Sequence, residues 1–151
     1  MISDAILPND SHPSLLAAMK ELGCNRAVAV CIVPRPYTEL NQCHNNVAKQ
    51  VALYGGTQVK GYYVAVSEHT SDWVAIKHSV WQRDNELIDI TPVEDKRTYN
   101  VFIYGAETLY TEVYNTNNTT KRFNYEQDNS MEQERLSILR SCSATTQCQG
   151  H

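Results

Sequence analysis

The amino-acid sequence predicts a single α+β domain. Two helix-like segments, with one short apolar segment between them, come first along the chain, and a run of strand-like segments follows. That order is typical of α+β folds. The chain has 151 residues, of which 42% are hydrophobic, so it can form one core. We expect residues 1–140 to form the domain and residues 141–151 to be a flexible C-terminal tail.

Two segments have the apolar spacing of helices. In residues 14–23, leucines and a methionine recur at helical spacing, a serine and a proline precede them, and Gly23 ends the pattern. Residues 43–54 form the second segment, whose apolar residues share one stripe before a Gly-Gly pair. Between the two helices, the apolar and β-branched residues 26–33 predict a buried strand.

The chain after the second helix is rich in strand patterns. Runs of β-branched and aromatic residues, separated by polar breaks, predict five further strands. These are residues 59–67, 73–82, 87–91, 100–104 and 108–114. The polar segment 115–120 is expected to be a turn or an exposed loop. Residues 130–140 have the spacing of a final helix.

Composition and charge restrict the kind of partner. Thirteen Lys and Arg residues against 17 Asp and Glu residues give a net charge of −4, which does not favour nucleic acid. No apolar run approaches the roughly 20 residues that span a bilayer. The N-terminus lacks the basic region of a signal peptide. We therefore expect a cytoplasmic protein with neither a nucleic-acid nor a membrane partner, and the sequence leaves the oligomeric state open.

The cysteines predict reduced thiols and no metal. The chain has five cysteines, an odd number, and no Cys-x-x-Cys pair, which argues against a disulfide framework and a closed zinc site. A metal site built from Cys43, His44 and His78 would lack any standard ligand spacing, so neither a metal nor another cofactor is predicted. His44 points about 100° away from its neighbour on the helix and is expected on the surface of the first turn.

Cys43 is the first candidate for chemistry because it follows a polar loop and begins the second predicted helix. The amides of a first helical turn and the positive end of the helix dipole favour a thiolate there. The thiolate is the form of cysteine that attacks a carbonyl group, so Cys43 is a candidate nucleophile. The alternative is structural: a small buried side chain or a helix cap.

His78 and Asp89 form a second candidate pair. His78 alternates with apolar residues in the predicted strand 73–82, and Asp89 lies between isoleucines in the predicted strand 87–91. If the loop between these strands has an even number of residues, both side chains lie on one face of the hairpin. A four-residue loop places them directly opposite each other, and a two-residue loop at 84–85 shifts them by one diagonal step.

Burial gives a reason for the two side chains to meet. A buried carboxylate without a partner costs several kcal/mol, and the imidazole across the hairpin is the nearest available partner for Asp89. An aspartate that fixes the tautomer and orientation of a histidine is the third member of a nucleophilic triad. Two structural alternatives stay open, in which His78 is a satisfied core residue and Asp89 caps the turn into Thr91.

These residues, in this order, resemble the core of transglutaminase-like cysteine enzymes, a branch of the papain-like superfamily. The motifs are Cys-His-x-Asn-Val at the start of a helix, His-x-Val-Trp in a strand and Asp-x-Thr-Pro at the end of the next strand. The resemblance also extends to small uncharacterised bacterial proteins with the same three motifs. The resemblance covers residues 34–92, and it implies a papain-like fold in which the helix that begins at the cysteine packs on an antiparallel sheet.

The resemblance implies a role for each residue of the triad. Cys43 would be the nucleophile, His78 the general base and acid, and Asp89 the carboxylate that orients the histidine. The residue before Cys43 departs from the aromatic or glycine neighbours that are usual in the family. At that position the Gln42 side chain is a candidate oxyanion donor, beside the backbone amide of Cys43. Three aromatic residues could line a substrate groove or simply pack the sheet: Trp81, Tyr62 and Trp73.

The predicted function is cysteine-dependent acyl transfer on the amide of a protein or peptide. Water as acceptor would give hydrolysis or glutamine deamidation, and an amine would give transamidation. The sequence does not separate these outcomes. Two alternatives from other classes stay open: a non-catalytic binding or inhibitory module with the same fold, and a small metal-binding protein.

Overall fold

The α+β class is confirmed by the computed structural model, which describes residues 5–9 and 11–125. Within these ranges the chain forms two helices and eight strands. In chain order they are β1 (Ala5–Ile6), α1 (Pro13–Leu22), β2 (Arg26–Cys31), α2 (Cys43–Tyr54), β3 (Thr57–Ser67), β4 (Trp73–Arg83), β5 (Glu86–Ile88), β6 (Tyr99–Tyr104), β7 (Glu112–Thr116) and β8 (Thr119–Phe123). The predicted helix 130–140 and the predicted tail 141–151 lie outside the described residues.

The strands form one antiparallel sheet in the order β2-β6-β3-β4-β7-β8, with β1 added beside β3 and β5 beside β4. Its centre is the long hairpin of β3 and β4, which stay in register from Thr57 opposite Gln82 to Val66 opposite Trp73. Residues 73–82 of β4 therefore have a continuous partner along one side, which fixes the face of the sheet toward which each of their side chains points.

The other side of β4 has two partners with an interval between them. Strand β7 pairs with residues 73–76, and β5 pairs with residues 81–83. The backbone N–H of Lys77 donates to the carbonyl of Thr111, just before β7 begins. Along the described chain, the interval at residues 78–80 has no strand beside it on this flank. It is the part of β4 that carries His78.

Apolar residues cover both faces of the sheet because they alternate along the strands. Tyr62, Val64 and Val66 of β3 belong to the cluster into which α1 packs. Tyr63 and Ala65 point the opposite way and belong to a second cluster. The second cluster also contains Cys43 from the start of α2 and aromatic residues from the β7–β8 region. The two helices thus contribute to different parts of the core.

Helix α1 begins and ends as its sequence pattern predicts. The His12 ring accepts a hydrogen bond from the backbone N–H of Ser14 through Nδ1 at 3.1 Å, and Pro13 occupies the first turn. Gly23 ends the helix with φ of 73°, a left-handed conformation that favours glycine. Neither helix in the described part of the chain is long and apolar enough to cross a membrane.

The prediction of a buried strand at residues 26–33 is wrong about burial. Strand β2 spans Arg26–Cys31, and of its six residues only Val30 is buried. The reason is its place in the sheet, because β2 is the last strand of the order and pairs with β6 on its inner side. An apolar run indicates a strand, but it does not tell whether that strand lies at the centre or at the edge.

The polar segment 115–120 contains a turn, and it also contains strand residues that were not predicted. Asn117 and Asn118 form the turn with φ of 52° and 60°, which asparagine tolerates and a two-residue hairpin requires. Strand β7 continues to Thr116 on one side, and β8 begins at Thr119 on the other. Polar residues can pair here because β8 is the last strand at this end of the sheet.

Candidate active site

Cys43 is the first residue of α2, and the start of that helix is tied to two other segments. The side chain of Asn46 hydrogen-bonds to the backbone N–H and carbonyl of Glu39 at 3.1 and 2.9 Å, and to Thr91 Oγ1 at 3.1 Å. Glu39 belongs to the loop before the helix, and Thr91 follows β5. The start of α2, which carries Cys43, is thus held by contacts on both sides. Only 6% of the residue is exposed.

The start of α2 packs against the open interval of β4 through two neighbouring residues. A side-chain hydrogen bond joins Cys43 to His78. His44 Nδ1 lies within hydrogen-bond distance of Ser79 Oγ, at 2.5 Å, and Gln58 Nε2 donates to the same hydroxyl oxygen at 2.9 Å. The expectation that His44 lies on the surface is therefore wrong, since its ring is half-buried between α2 and the β3–β4 hairpin.

His78 and Asp89 are in direct contact. Nε2 of His78 lies 2.7 Å from Oδ2 of Asp89, and the side chains are 1% and 0% exposed. Strands β4 and β5 are joined by the two-residue turn at 84–85, with Trp81 opposite Ile88. Continued one residue past Ile88, this register places Asp89 diagonally from His78, as expected for the shorter of the two loops considered from the sequence.

The Asp89 carboxylate accepts two more hydrogen bonds. The backbone N–H of Thr91 donates to Oδ1 at 3.1 Å, and Nδ2 of Asn100 donates to Oδ2 at 2.7 Å. The Asp89 backbone does not continue β5, because it forms a parallel bridge with Ile32 beyond the end of β2. The predicted strand 87–91 therefore ends at Ile88, and its last residues leave β4 for β2.

Asn100 was not identified as a functional residue from the sequence. It is the second residue of β6 and is 1% exposed. The sequence contains one weak signal, an amide side chain at the first position of the predicted apolar strand 100–104. The contact of Asn100 with Asp89 could not be predicted, because it depends on where β6 lies in the order of strands in the sheet.

The surroundings of His78 stabilise its charged form. Burial on its own lowers the pKa of His78, but the negative charges of Asp89 and Cys43, and the hydrogen bonds to both, act in the opposite direction. The net result raises the pKa of His78 from 6.5 to about 10. A ring with this pKa is protonated at neutral pH, and it then has a proton for a hydrogen bond to the sulfur of Cys43.

Aromatic rings and a glycine enclose the imidazole. The Tyr63 ring meets the His78 ring edge to face, with centroids 5.3 Å apart, and Phe102 lies at 6.3 Å. Gly61 is opposite His78 in the β3–β4 register. A Cβ atom at Gly61 would come within 2.8 Å of the Phe102 ring and would also contact the carbonyl of Ile103. Glycine at this position lets β6 approach the histidine closely.

Two of the other predicted site residues lie next to α2. Gln42 is exposed and directly precedes Cys43, and its Oε1 accepts a hydrogen bond from Asn45 Nδ2 at 2.8 Å. Its role as an oxyanion donor stays a prediction. Trp81 is buried, and its indole N–H donates to the carbonyl of Gly55 at 2.8 Å. That contact ties the end of α2 to β4.

Tyr62 and Trp73 lie farther from the triad. Both are buried in the cluster beneath α1, whereas Cys43 belongs to the cluster on the other face of the sheet. The Tyr62 hydroxyl accepts a hydrogen bond from the backbone N–H of Tyr110 at 3.3 Å. A role for these two residues in substrate binding stays a prediction.

The described residues contain no group of three or more His, Cys, Asp or Glu side chains placed to hold a metal ion. Comparisons of the chain with protein-family models, with curated proteins and with solved structures find no match.

Proposed function

We propose that this protein is a cysteine-dependent acyl-transfer enzyme that acts on amides through Cys43, His78 and Asp89. One observation carries the proposal: the thiol at the start of α2 is hydrogen-bonded to a buried imidazole whose Nε2 is held by a buried carboxylate at 2.7 Å. A nucleophile, a base within hydrogen-bond reach and a third group that orients the base are the parts required for nucleophilic catalysis.

The first half of the reaction uses the charges already present in the site. The Cys43 thiolate attacks the amide carbonyl carbon, the C=O electrons move to oxygen, and a tetrahedral intermediate forms. Protonated His78 then gives its proton to the departing nitrogen as the C–N bond breaks. The products are a thioester on Cys43 and a free amine or ammonia. Asp89 stays ionised and holds the His78 ring through Nε2. The other ring nitrogen, Nδ1, is then available for proton transfer on the side where Cys43 lies.

In the second half His78 acts as a base. It removes a proton from water or from an amine, which attacks the thioester carbonyl and releases the thiolate of Cys43. Water gives hydrolysis, which is deamidation when the substrate is a glutamine side chain, and an amine gives transamidation. The backbone N–H of Cys43 and the side chain of Gln42 are the proposed donors to the oxyanion.

The finer assignment, to a transglutaminase-like or papain-like enzyme, is also part of the proposal. It is supported by the order of the triad along the chain and by α2 packing against the antiparallel sheet with Cys43 as its first residue. It favours a side-chain or peptide amide as the acyl donor. The partner we propose is accordingly a protein or peptide.

Selective alkylation tests whether Cys43 is the nucleophile. The protein is treated with a limiting amount of iodoacetamide at pH 7, and the extent of labelling at each of the five cysteines is measured by peptide mass spectrometry. We expect Cys43 to react first and His78→Gln to slow this reaction. Cys31, which is exposed and lies at the end of β2, is the internal control for an ordinary accessible thiol. Slow and uniform labelling would refute an activated thiol.

A second assay tests acyl transfer itself. The glutaminyl side chain of a blocked dipeptide, benzyloxycarbonyl-glutaminyl-glycine, is offered with and without methylamine, and released ammonia and methylamide product are quantified. Wild-type protein should release ammonia, and Cys43→Ser should not. The methylamide fraction then separates transamidation from deamidation. If Cys43 is reactive but neither product forms, the non-catalytic alternative is favoured for this substrate class.

A further inference from the structure

Asn100 shares an oxygen atom with the histidine of the triad. Its Nδ2 lies 2.7 Å from Asp89 Oδ2, and the same oxygen lies 2.7 Å from His78 Nε2. Asn100 is on β6, outside the segment that resembles the cysteine enzymes, and it is 1% exposed. The contact is charge-assisted, a class of hydrogen bond that is stronger and better oriented than a neutral one.

The oxygen atom of the Asn100 amide destabilises the fold. Oδ1 of Asn100 is buried and has no hydrogen-bond partner among the residues that the structure describes. A buried polar atom without a partner destabilises a fold. This oxygen therefore gives no reason for an asparagine at this position. The hydrogen bond to Asp89 gives one.

We infer that Asn100 is a positioning residue, which holds the Asp89 carboxylate at the angle that orients His78 toward Cys43. This inference rests on the proposed function. Without Asn100, Oδ1 would still accept from the Thr91 amide, but Oδ2 would contact His78 alone, so two contacts instead of three would hold the carboxylate and its angle would be less fixed. A small misplacement of a reacting group lowers a rate strongly, so about a tenfold loss is expected.

Two substitutions separate positioning from a structural role. Asn100→Leu keeps the size, removes the donor and also removes the unpaired oxygen. We expect it to unfold at a lower denaturant concentration than wild-type protein, because the buried Asp89 carboxylate loses a donor, while alkylation of Cys43 in the still folded protein at pH 7 slows about tenfold. Gln50→Met is the matched control, because Gln50 is also a buried amide with an unpaired Oε1, but it lies on α2 and has no contact with Asp89 in the described hydrogen bonds. It should leave the alkylation rate unchanged.

Asn100→Asp adds a readout that a structural role would not produce. A carboxylic acid can donate to Asp89 only while it is protonated, and two adjacent carboxylates repel each other. The alkylation rate of Asn100→Asp relative to wild-type protein should therefore be highest near pH 5 and fall as the pH rises to 8. Wild-type protein supplies the reference at each pH.

The outcomes distinguish this inference from the proposed function. If wild-type Cys43 shows no selective reactivity, the proposed function fails and the role of Asn100 fails with it. If wild-type Cys43 is selectively reactive and both Asn100 variants match its rate at every pH, only the role of Asn100 is overturned. A loss of stability in Asn100→Leu with an unchanged rate in the folded protein would likewise assign Asn100 to folding alone.

Discussion

Nε2 of His78 lies 2.7 Å from Oδ2 of Asp89, with both side chains removed from solvent. Replacing Asp89 by Asn tests what this contact does. The isosteric amide keeps the shape but loses the charge, and it can hold the wrong tautomer of the ring. We expect the rate of Cys43 alkylation and of amide turnover at pH 7 to fall by roughly 10³-fold or more. A rate within twofold of wild-type protein would show that Asp89 only fills the core.

The raised pKa of His78 predicts how stability depends on pH. A histidine whose pKa is about 10 in the folded state and 6.5 in the unfolded state contributes stability that is fully present below pH 6.5. That contribution is lost as the pH rises through about 10. We expect the free energy of unfolding, measured with urea, to fall between pH 7 and pH 10.5 in wild-type protein. His78→Gln should lack this fall, and an equal slope in both proteins would contradict the assignment.

Gly61→Ala tests the close approach of β6 to the histidine. The added methyl group would press against the Phe102 ring and the carbonyl of Ile103, so the fold must shift. We expect a loss of about 2–3 kcal/mol in the free energy of unfolding, measured by urea denaturation. Gly55→Ala is a useful comparison, because its Cβ would meet nothing within 4 Å and only its φ of 77° is unfavourable. It should cost about 1 kcal/mol, and equal losses would refute the steric argument.

Ser79→Ala tests the second contact between α2 and β4. The substitution removes the hydroxyl that contacts His44 and accepts from Gln58, and a lost hydrogen bond of this kind costs about 1 kcal/mol. Because Ser79 does not hydrogen-bond to the triad in the described contacts, the pH dependence of Cys43 alkylation should keep its wild-type shape. A shifted pH profile would instead show that the His44–Ser79 contact helps to set the charge of the thiol.

Trp81→Phe tests the tryptophan for which the sequence left two roles open, lining a substrate groove or packing the sheet. The indole N–H donates to Gly55 at the end of α2, so its loss should lower the free energy of unfolding by about 1–2 kcal/mol. We expect KM for the blocked dipeptide to stay within twofold, since the side chain is only 1% exposed. A large rise in KM without loss of stability would support direct contact with substrate.

The elements that the sequence predicted well are those fixed by local spacing. The bounds 43–54 of the second predicted helix agree with α2, because an apolar stripe and a Gly-Gly pair define both the helix and its end. The contact between His78 and Asp89 could also be predicted, because a two-residue turn and the alternation of side chains along a strand determine which residues become neighbours. Both features depend on residues that are close together along the chain.

Other features required the tertiary structure. An apolar run did not show that β2 lies at the edge of the sheet, because exposure depends on which strands lie beside it. Nor did the polar pattern of residues 115–120 reveal β8, whose residues pair at the other end of the sheet.

The sequence by itself determined which chemical groups are present and on which secondary-structure elements they lie. These are a thiol at a helix start, and an imidazole and a carboxylate on one hairpin. Only the tertiary structure decided that Cys43 packs against the open interval of β4, and that Asn100 comes from β6 to share an oxygen of Asp89. The physical reason is that these contacts join residues far apart in the chain. Their formation depends on the order of the strands and the packing of α2, which local spacing does not encode.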